Sequence, residues 1–129
     1  MTGSDHNETA IVQRMFAAFA AGDLDALLET VHPRSRWVYY GANPGLSKAE
    51  FNGRAEVRSF FERIIKRLDM SVFNANEFVA QGKTVVVFGN ESGNVKATGQ
   101  GFHNEWAQKY VVEGGLIVEM AEWNVQVAM

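Results

Sequence analysis

Two runs of alternating residues, Phe102–Val112 and Leu116–Val125, separated only by Glu113-Gly114-Gly115, constrain this chain more than any other feature. Successive side chains of a strand point to opposite faces. On the first run Phe102, Asn104, Trp106, Gln108, Tyr110 and Val112 therefore share one face, and His103, Glu105, Ala107, Lys109 and Val111 share the other. On the second run Met120, Glu122 and Asn124 form one set, and Glu119, Ala121, Trp123 and Val125 the other. The first set of each run mixes large apolar groups with a few hydrogen-bonding ones. A wall of that composition suits a surface that is half core and half small-molecule pocket.

The remainder of the chain supplies what packs on this wall. Met1–Asn7 reads as a mobile tail, and residues 8–129 as a single domain. From Glu8 the spacing of Ile11, Met15, Ala18 and Phe19 predicts a helix, ended by Gly22. Asp23 is placed to cap a second helix over Leu24–Val31, which His32-Pro33 closes because a residue preceding proline avoids the helical region. Arg36–Tyr40 predicts a short strand, and Gly41–Gly53 a loop of the length that often forms a lid or pocket rim. Val57, Phe60, Phe61, Ile64, Ile65 and Leu68 keep helical spacing through a third helix, Arg54–Leu68. Beyond it Phe73–Val79, Thr84–Asn90, Val95–Tyr110 (bent at Gly99 and Gly101) and Leu116–Val127 predict strands divided by glycine-containing turns. Three helices followed by antiparallel strands specify an α+β domain: a curved antiparallel sheet forming a cone, with the three N-terminal helices on its concave face.

Composition narrows the function classes. A formal charge of -3 with dispersed basic residues argues against a nucleic-acid partner. With a Cys count of 0 there is no thiolate metal site, cysteine nucleophile or disulfide. No apolar run is long enough to span a bilayer, and the polar Met1–Glu8 lacks a signal-peptide core, so a cytoplasmic location is expected. His103 and Glu105 share a strand face, but two ligands are too few for a closed metal site, and alternation sends them away from Trp106. His32 reads as a residue placed favourably at a helix C-terminus. On the outer sheet face Ala107, Val111, Ala121, Trp123 and Val125 leave an apolar strip, for which a two-fold dimer is the commonest cover.

Several segments are similar to one superfamily over nearly the whole chain. They are Val12-Gln13-Arg14, Ala17-Ala18 and Ala21-Gly22-Asp23-Leu24-Asp25-Ala26-Leu27; Gly53-Arg54-Ala55-Glu56-Val57-Arg58-Ser59-Phe60-Phe61; Thr98-Gly99-Gln100-Gly101-Phe102; and Gly114-Gly115-Leu116-Ile117. In these the chain resembles the ketosteroid-isomerase and SnoaL-like polyketide-cyclase superfamily, which has the nuclear-transport-factor-like cone fold. The scaffold hosts isomerases, cyclases, hydrolases and non-enzymatic binders, so the resemblance implies a fold more firmly than a reaction. Carried over position by position, the isomerase's oxyanion-hole tyrosine falls on Met15, its general-base aspartate on Tyr39 and its protonated aspartic acid on Gln108. That chemistry needs a carboxylate to move the proton and acids to hold the enolate. Those three residues do not provide it. The aspartate expected of a cyclase falls on Val125, beside Asn124.

The inward sets bring Trp37, Tyr39, Trp106, Gln108, Tyr110, Met120, Glu122 and Asn124, with Met15, toward one pocket. Glu122 is the carboxylate placed to carry a proton, because burial among Met and aromatic groups raises a carboxyl pKa; an ion-paired structural role with a nearby arginine is the competing reading. Gln108 and Asn124 can fix a ligand carbonyl or hydroxyl, or satisfy buried backbone groups. Trp37, Tyr39, Trp106 and Tyr110 can clamp a flat ligand, or pack as core. The parity of Glu91 past Gly89 is open, between pocket mouth and solvent. Two functions follow. One is cofactor-free proton transfer on a small apolar carbonyl or ring compound, with Glu122 and Tyr39 as the catalytic candidates and no metal. The other is a non-catalytic ligand-binding or dimeric assembly module.

Overall fold

The structure, a computed structural model, describes residues 3–41 and 48–127, and burial from Asn7 onward. Three helices, α1 (Gly3–Ala20), α2 (Leu24–Glu29) and α3 (Gly53–Arg67), accompany six strands: β1 (Val31–Tyr40), β2 (Ala49–Asn52), β3 (Leu68–Gln81), β4 (Thr84–Val95), β5 (Gly101–Glu113) and β6 (Leu116–Gln126). The strands form one curved, unclosed sheet in the order β2-β1-β6-β5-β4-β3. Among the described residues no helix is long and apolar enough to cross a membrane.

Local chemistry accounts for the boundaries. Gly22, at φ +69, ends α1, and the Asp23 amide closes the turn on the Ala18 carbonyl at 2.9 Å. Asp23 then accepts from the Ala26 amide at 3.0 Å and caps α2 as expected. Thr30 ends α2, its amide and hydroxyl both directed at the Leu27 carbonyl. At the head of α3 the Glu56 carboxylate reaches back to accept from the Asn52 amide at 2.7 Å, satisfying one of the free donors at the helix start. The β5–β6 turn runs through Gly114 and Gly115 at φ +59 and +80, the left-handed values a two-residue hairpin needs.

Several expected boundaries are corrected. Helix α1 starts at Gly3, inside the stretch expected to be a tail. Helix α2 stops at Glu29, and Val31-His32-Pro33 opens β1 instead of closing a helix. Pro33 falls in the interval between Val31 and Arg36 where the β1–β6 ladder shifts register, a place where the missing amide hydrogen is harmless. His32 is thus a strand residue, and its Nδ1 accepts from the Arg34 amide at 2.9 Å. Part of the expected loop is strand β2; residues 42–47, where a lid was expected, lie outside the described residues. The expected bent strand over Val95–Tyr110 is two strands, β4 ending at Val95 and β5 beginning at Gly101, with Gly99 at φ +74 in the turn. The sheet is not wholly antiparallel, since β1 runs parallel to β6. On α3, Ile65 is exposed rather than inward.

The core lies between the helices and the concave sheet face. Val12 and Met15 of α1, Leu27 of α2, and Val57, Phe60 and Phe61 of α3 are buried against Trp37, Val85, Val87, Trp106, Tyr110, Val112, Ile117 and Met120. Rings join the layers: Phe16 meets Phe73, Phe78, Trp106 and Tyr110, and Trp37 meets Phe60 and Phe61. Register shifts in the β3–β4 ladder at Met70/Val72 and Ala75/Glu77 bend the sheet's outer strands. Within β5 the shift falls at Val111/Val112, so alternation is unbroken from Phe102 to Tyr110.

Candidate functional site

Strand register assembles the polar residues on the concave wall. Tyr39 of β1 lies beside Glu122 of β6, which lies opposite Gln108 of β5. One pleat further, Asn124 lies opposite Trp106, and Asn104 of β5 lies opposite Glu91 of β4. Tyr110, Gln108, Glu122, Asn124, Glu91 and Asn104 form a continuous hydrogen-bonded chain. The Tyr110 hydroxyl donates to Gln108 Oε1 at 2.5 Å, which turns the Gln108 amide so that Nε2 donates to Glu122 Oε1 at 2.9 Å. Asn124 Nδ2 donates to Glu122 Oε2 at 2.9 Å and to Glu91 Oε2 at 3.3 Å. Asn104 Nδ2 completes the chain on Glu91 Oε2 at 2.9 Å. Each buried carboxyl and amide of this wall therefore has a partner, whereas the Trp106 indole nitrogen is buried without one among the described residues.

Glu91, Gln108, Tyr110, Glu122 and Asn124 of this chain floor a cavity of about 250 Å³. Met15, Trp37, Tyr39, Gln108, Tyr110, Met120, Glu122 and Asn124 all line it, so eight of the nine residues singled out from sequence converge. The ninth does not. Trp106 stands behind the cavity, stacked on Phe16 (6.0 Å) and on Phe73 (5.3 Å), and those two rings take the lining position it was expected to hold. Phe16, Phe19, Phe60, Phe61, Met70 and Phe73 supply the apolar wall. Glu91 also faces inward and is buried. Its position was legible in the strict alternation of Val85, Val87, Gly89 and Glu91, which continues past the glycine. Gly89 keeps that parity because no side chain fits there: an added Cβ would lie 2.1 Å from the Asn74 carbonyl oxygen and 2.2 Å from the Trp106 ring.

Electrostatics distinguish Glu122. It is 6% exposed. Burial pushes its carboxyl up to about 7, the nearby Glu91 charge adds to the rise, and the Asn124 and Gln108 hydrogen bonds oppose it in part. Among the described residues, the ion pairs join Arg36 to Glu50 and Arg58 to Asp25 and Glu62, all on exposed side chains. None includes Glu122, which answers the expectation of an arginine partner. Burial, then the charges of Glu122 and Glu91, raise the Tyr39 phenol above its ordinary value, and burial followed by Glu122 raises Tyr110 well above it. Both are hydrogen-bonding phenols at neutral pH. Among the described residues no group of three or more His, Asp or Glu side chains could hold a metal ion. His103 is engaged with the Ser92 hydroxyl at 2.6 Å.

A carboxyl with a midpoint near neutrality populates both protonation states at once, the condition under which a group can give and take protons efficiently. Beside it lie the amides of Gln108 and Asn124 and the phenol of Tyr39, with aromatic rings around the rest of the cavity.

Comparison with known proteins gives the same architecture. A family model described as SnoaL-like domain matches residues 12–120. An NTF2-like protein from Burkholderia xenovorans LB400 is 27% identical, with a TM-score of 0.83 over 94% of this chain and 91% of that one. A putative SnoaL-like polyketide cyclase from Jannaschia sp. CCS1 is 18% identical, with a TM-score of 0.77 over 94% of this chain and 87% of that one. A hypothetical protein of ketosteroid isomerase-like fold from Catenulispora acidiphila, solved in complex with trimethylamine, is 17% identical, with a TM-score of 0.74 over 88% and 83%. At such identities the last two likenesses concern the fold. Among curated proteins none matches the chain.

Proposed function

The chain belongs to the SnoaL-like domain family, and on that footing we propose that it binds a small, largely apolar carbonyl or ring compound and moves a proton on it without a cofactor. The single observation that carries this reading is Glu122: a buried carboxyl in an aromatic cavity, held by two amides and no cation among the described residues, with its midpoint near 7. Glu122 takes or gives the proton. Gln108, Asn124 and Tyr39 orient the ligand's polar end, and Met15, Trp37, Tyr110 and Met120 complete the walls. Isomerisation, cyclisation and hydration all fall within this chemistry. The ketosteroid isomerase route is not part of the proposal, because Met15, Tyr39 and Gln108 occupy the positions where it needs acids and a carboxylate.

The test is exchange of carbon-bound hydrogen for deuterium. Cyclic and aryl ketones small enough for the cavity are incubated with the protein in heavy water and followed by proton NMR. Wild type accelerates exchange at the carbon next to the carbonyl, and Glu122→Gln abolishes the acceleration while still binding the ketone. Equal exchange by both proteins would remove Glu122 from the chemistry.

We also propose that the outer sheet face pairs with a second copy. Phe88, Ala107, Trp123 and Tyr40 form one transverse row on it, with Tyr40 stacked on Trp123 at 5.6 Å. Trp123 is 46% and Val125 59% exposed. Lys109 lies one row and Glu119 two rows to one side of it, opposite charges that a two-fold arrangement can bring together.

A further inference from the structure

We infer that Glu91 is a second working carboxyl of this site, and that Glu91 and Glu122 share one proton across the Asn124 amide. The inference deepens the reading above and rests on it only for the chemistry; the sharing itself stands on geometry. Glu91 is 8% exposed and Glu122 6%, and both line the same cavity. One nitrogen, Asn124 Nδ2, donates to an oxygen of each, so a single amide group separates the two carboxyls. Asn104 fixes Glu91 from its other side, and Gln108 fixes Glu122 from its own.

Two buried carboxylates at that separation do not both ionise cheaply, because each charge lacks water and repels the other. The Asn104, Asn124 and Gln108 amides give partial relief by donating to the two carboxyls, but no charged partner among the described residues does. Facing the pair are the Tyr39 phenol from β1, the Tyr110 phenol and two amides from β5, and the thioether and rings of Met15, Phe16 and Phe19 from α1. The cations that line the cavity, Arg63 and Arg67 of α3, are exposed residues, and neither makes an ion pair with these carboxyls among the described residues. A retained proton is the remaining way to lower the charge. Burial and the Glu91 charge both act to raise Glu122, in the direction this arrangement requires.

The chemical consequence is a site holding an acid and a base at the same time. The ionised carboxyl withdraws a proton from one atom of the ligand while its protonated neighbour supplies one to another. The pair carries one proton before and after; only its location changes, and exchange with solvent restores it. The substrate class this fits is a conjugated or enolisable carbonyl compound, in which a proton leaves one carbon and arrives at another atom of the same π-system.

The experiment is a carboxyl titration, without ligand, on protein carrying carbon-13 at the glutamate side-chain carboxyl. The Glu122 signal, assigned by its loss in Glu122→Gln, titrates near neutrality in wild type. In Glu91→Gln its midpoint falls by about half a pH unit or more. In Glu91→Asp, which keeps a carboxylate, it stays raised. An unchanged Glu122 midpoint in Glu91→Gln, or a midpoint in Glu91→Asp as low as in Glu91→Gln, would overturn the inference. Failure of deuterium exchange would leave this titration untouched, and an unmoved midpoint would leave Glu122 free to act alone, so the two ideas fail separately.

Discussion

The raised Glu122 carboxyl carries a cost in stability that can be measured directly. In the unfolded chain the group ionises near its ordinary value of 4.5, and in the folded protein near 7. Between those values the folded state keeps a proton that the unfolded state has lost. Folded protein therefore binds more protons, and stability falls as pH rises through this window. The contribution is whole below about 4.5, erodes up to about 7, and is constant beyond. At roughly 1.4 kcal/mol per pH unit the full loss is about 3 kcal/mol, of which a little over 2 kcal/mol lies between pH 5 and 8.5. Glu122→Gln removes the titration while keeping the side chain's shape and one acceptor for the amides. Urea unfolding of both proteins at half-unit steps from pH 5 to 8.5 measures this term together with its coupling to Glu91. Wild type should lose about 2 kcal/mol relative to the variant across the range, with unchanged m-values. Parallel stability curves would show that Glu122 ionises as freely in the fold as out of it, and the account of its burial would be wrong.

Three further outcomes follow from the packing. Tyr110→Phe strips the hydroxyl from Gln108 Oε1, leaving a buried acceptor unpaired, and should cost about 1–3 kcal/mol in chemical denaturation and shift the Gln108 side-chain amide resonances. Gly89→Ala forces a methyl against the Asn74 carbonyl and the Trp106 ring and should destabilise by about 1–3 kcal/mol, with a change in tryptophan emission; a neutral result would mean the two strands part freely there. Trp123→Lys should convert a dimer to a monomer by light scattering without altering the cavity, and identical masses for the two proteins would dismiss the outer face as the contact.

What was legible in the sequence is what depends on neighbours along the chain. The period of two in Phe102–Tyr110 and Met120–Asn124 assigned Gln108, Tyr110, Glu122 and Asn124 to one wall, and the structure places all four on the cavity. The helical spacing of Val57, Phe60 and Phe61 and the Asp23 cap were equally local, and so were the Gly22 and Gly114-Gly115 turns. The resemblance in the segments around Gly22-Asp23 and Gly53–Phe61 added the cone architecture.

Tertiary structure decided which groups on a chosen face meet one another. Alternation sent Trp106 inward, but only the placement of Phe16 and Phe73 made it core instead of cavity wall. Proline's local preference predicted the end of α2 at His32-Pro33, but the helix stops at Glu29 and Pro33 lies within β1, a strand that depends on β6 lying alongside. Glu91 stands 31 residues from Glu122, and nothing nearby in sequence announces that Asn124 will bridge them. Periodicity is a property of one strand, whereas a pKa, a shared amide and a hollow arise from several strands brought within a few ångströms, and sequence order carries no direct record of that proximity.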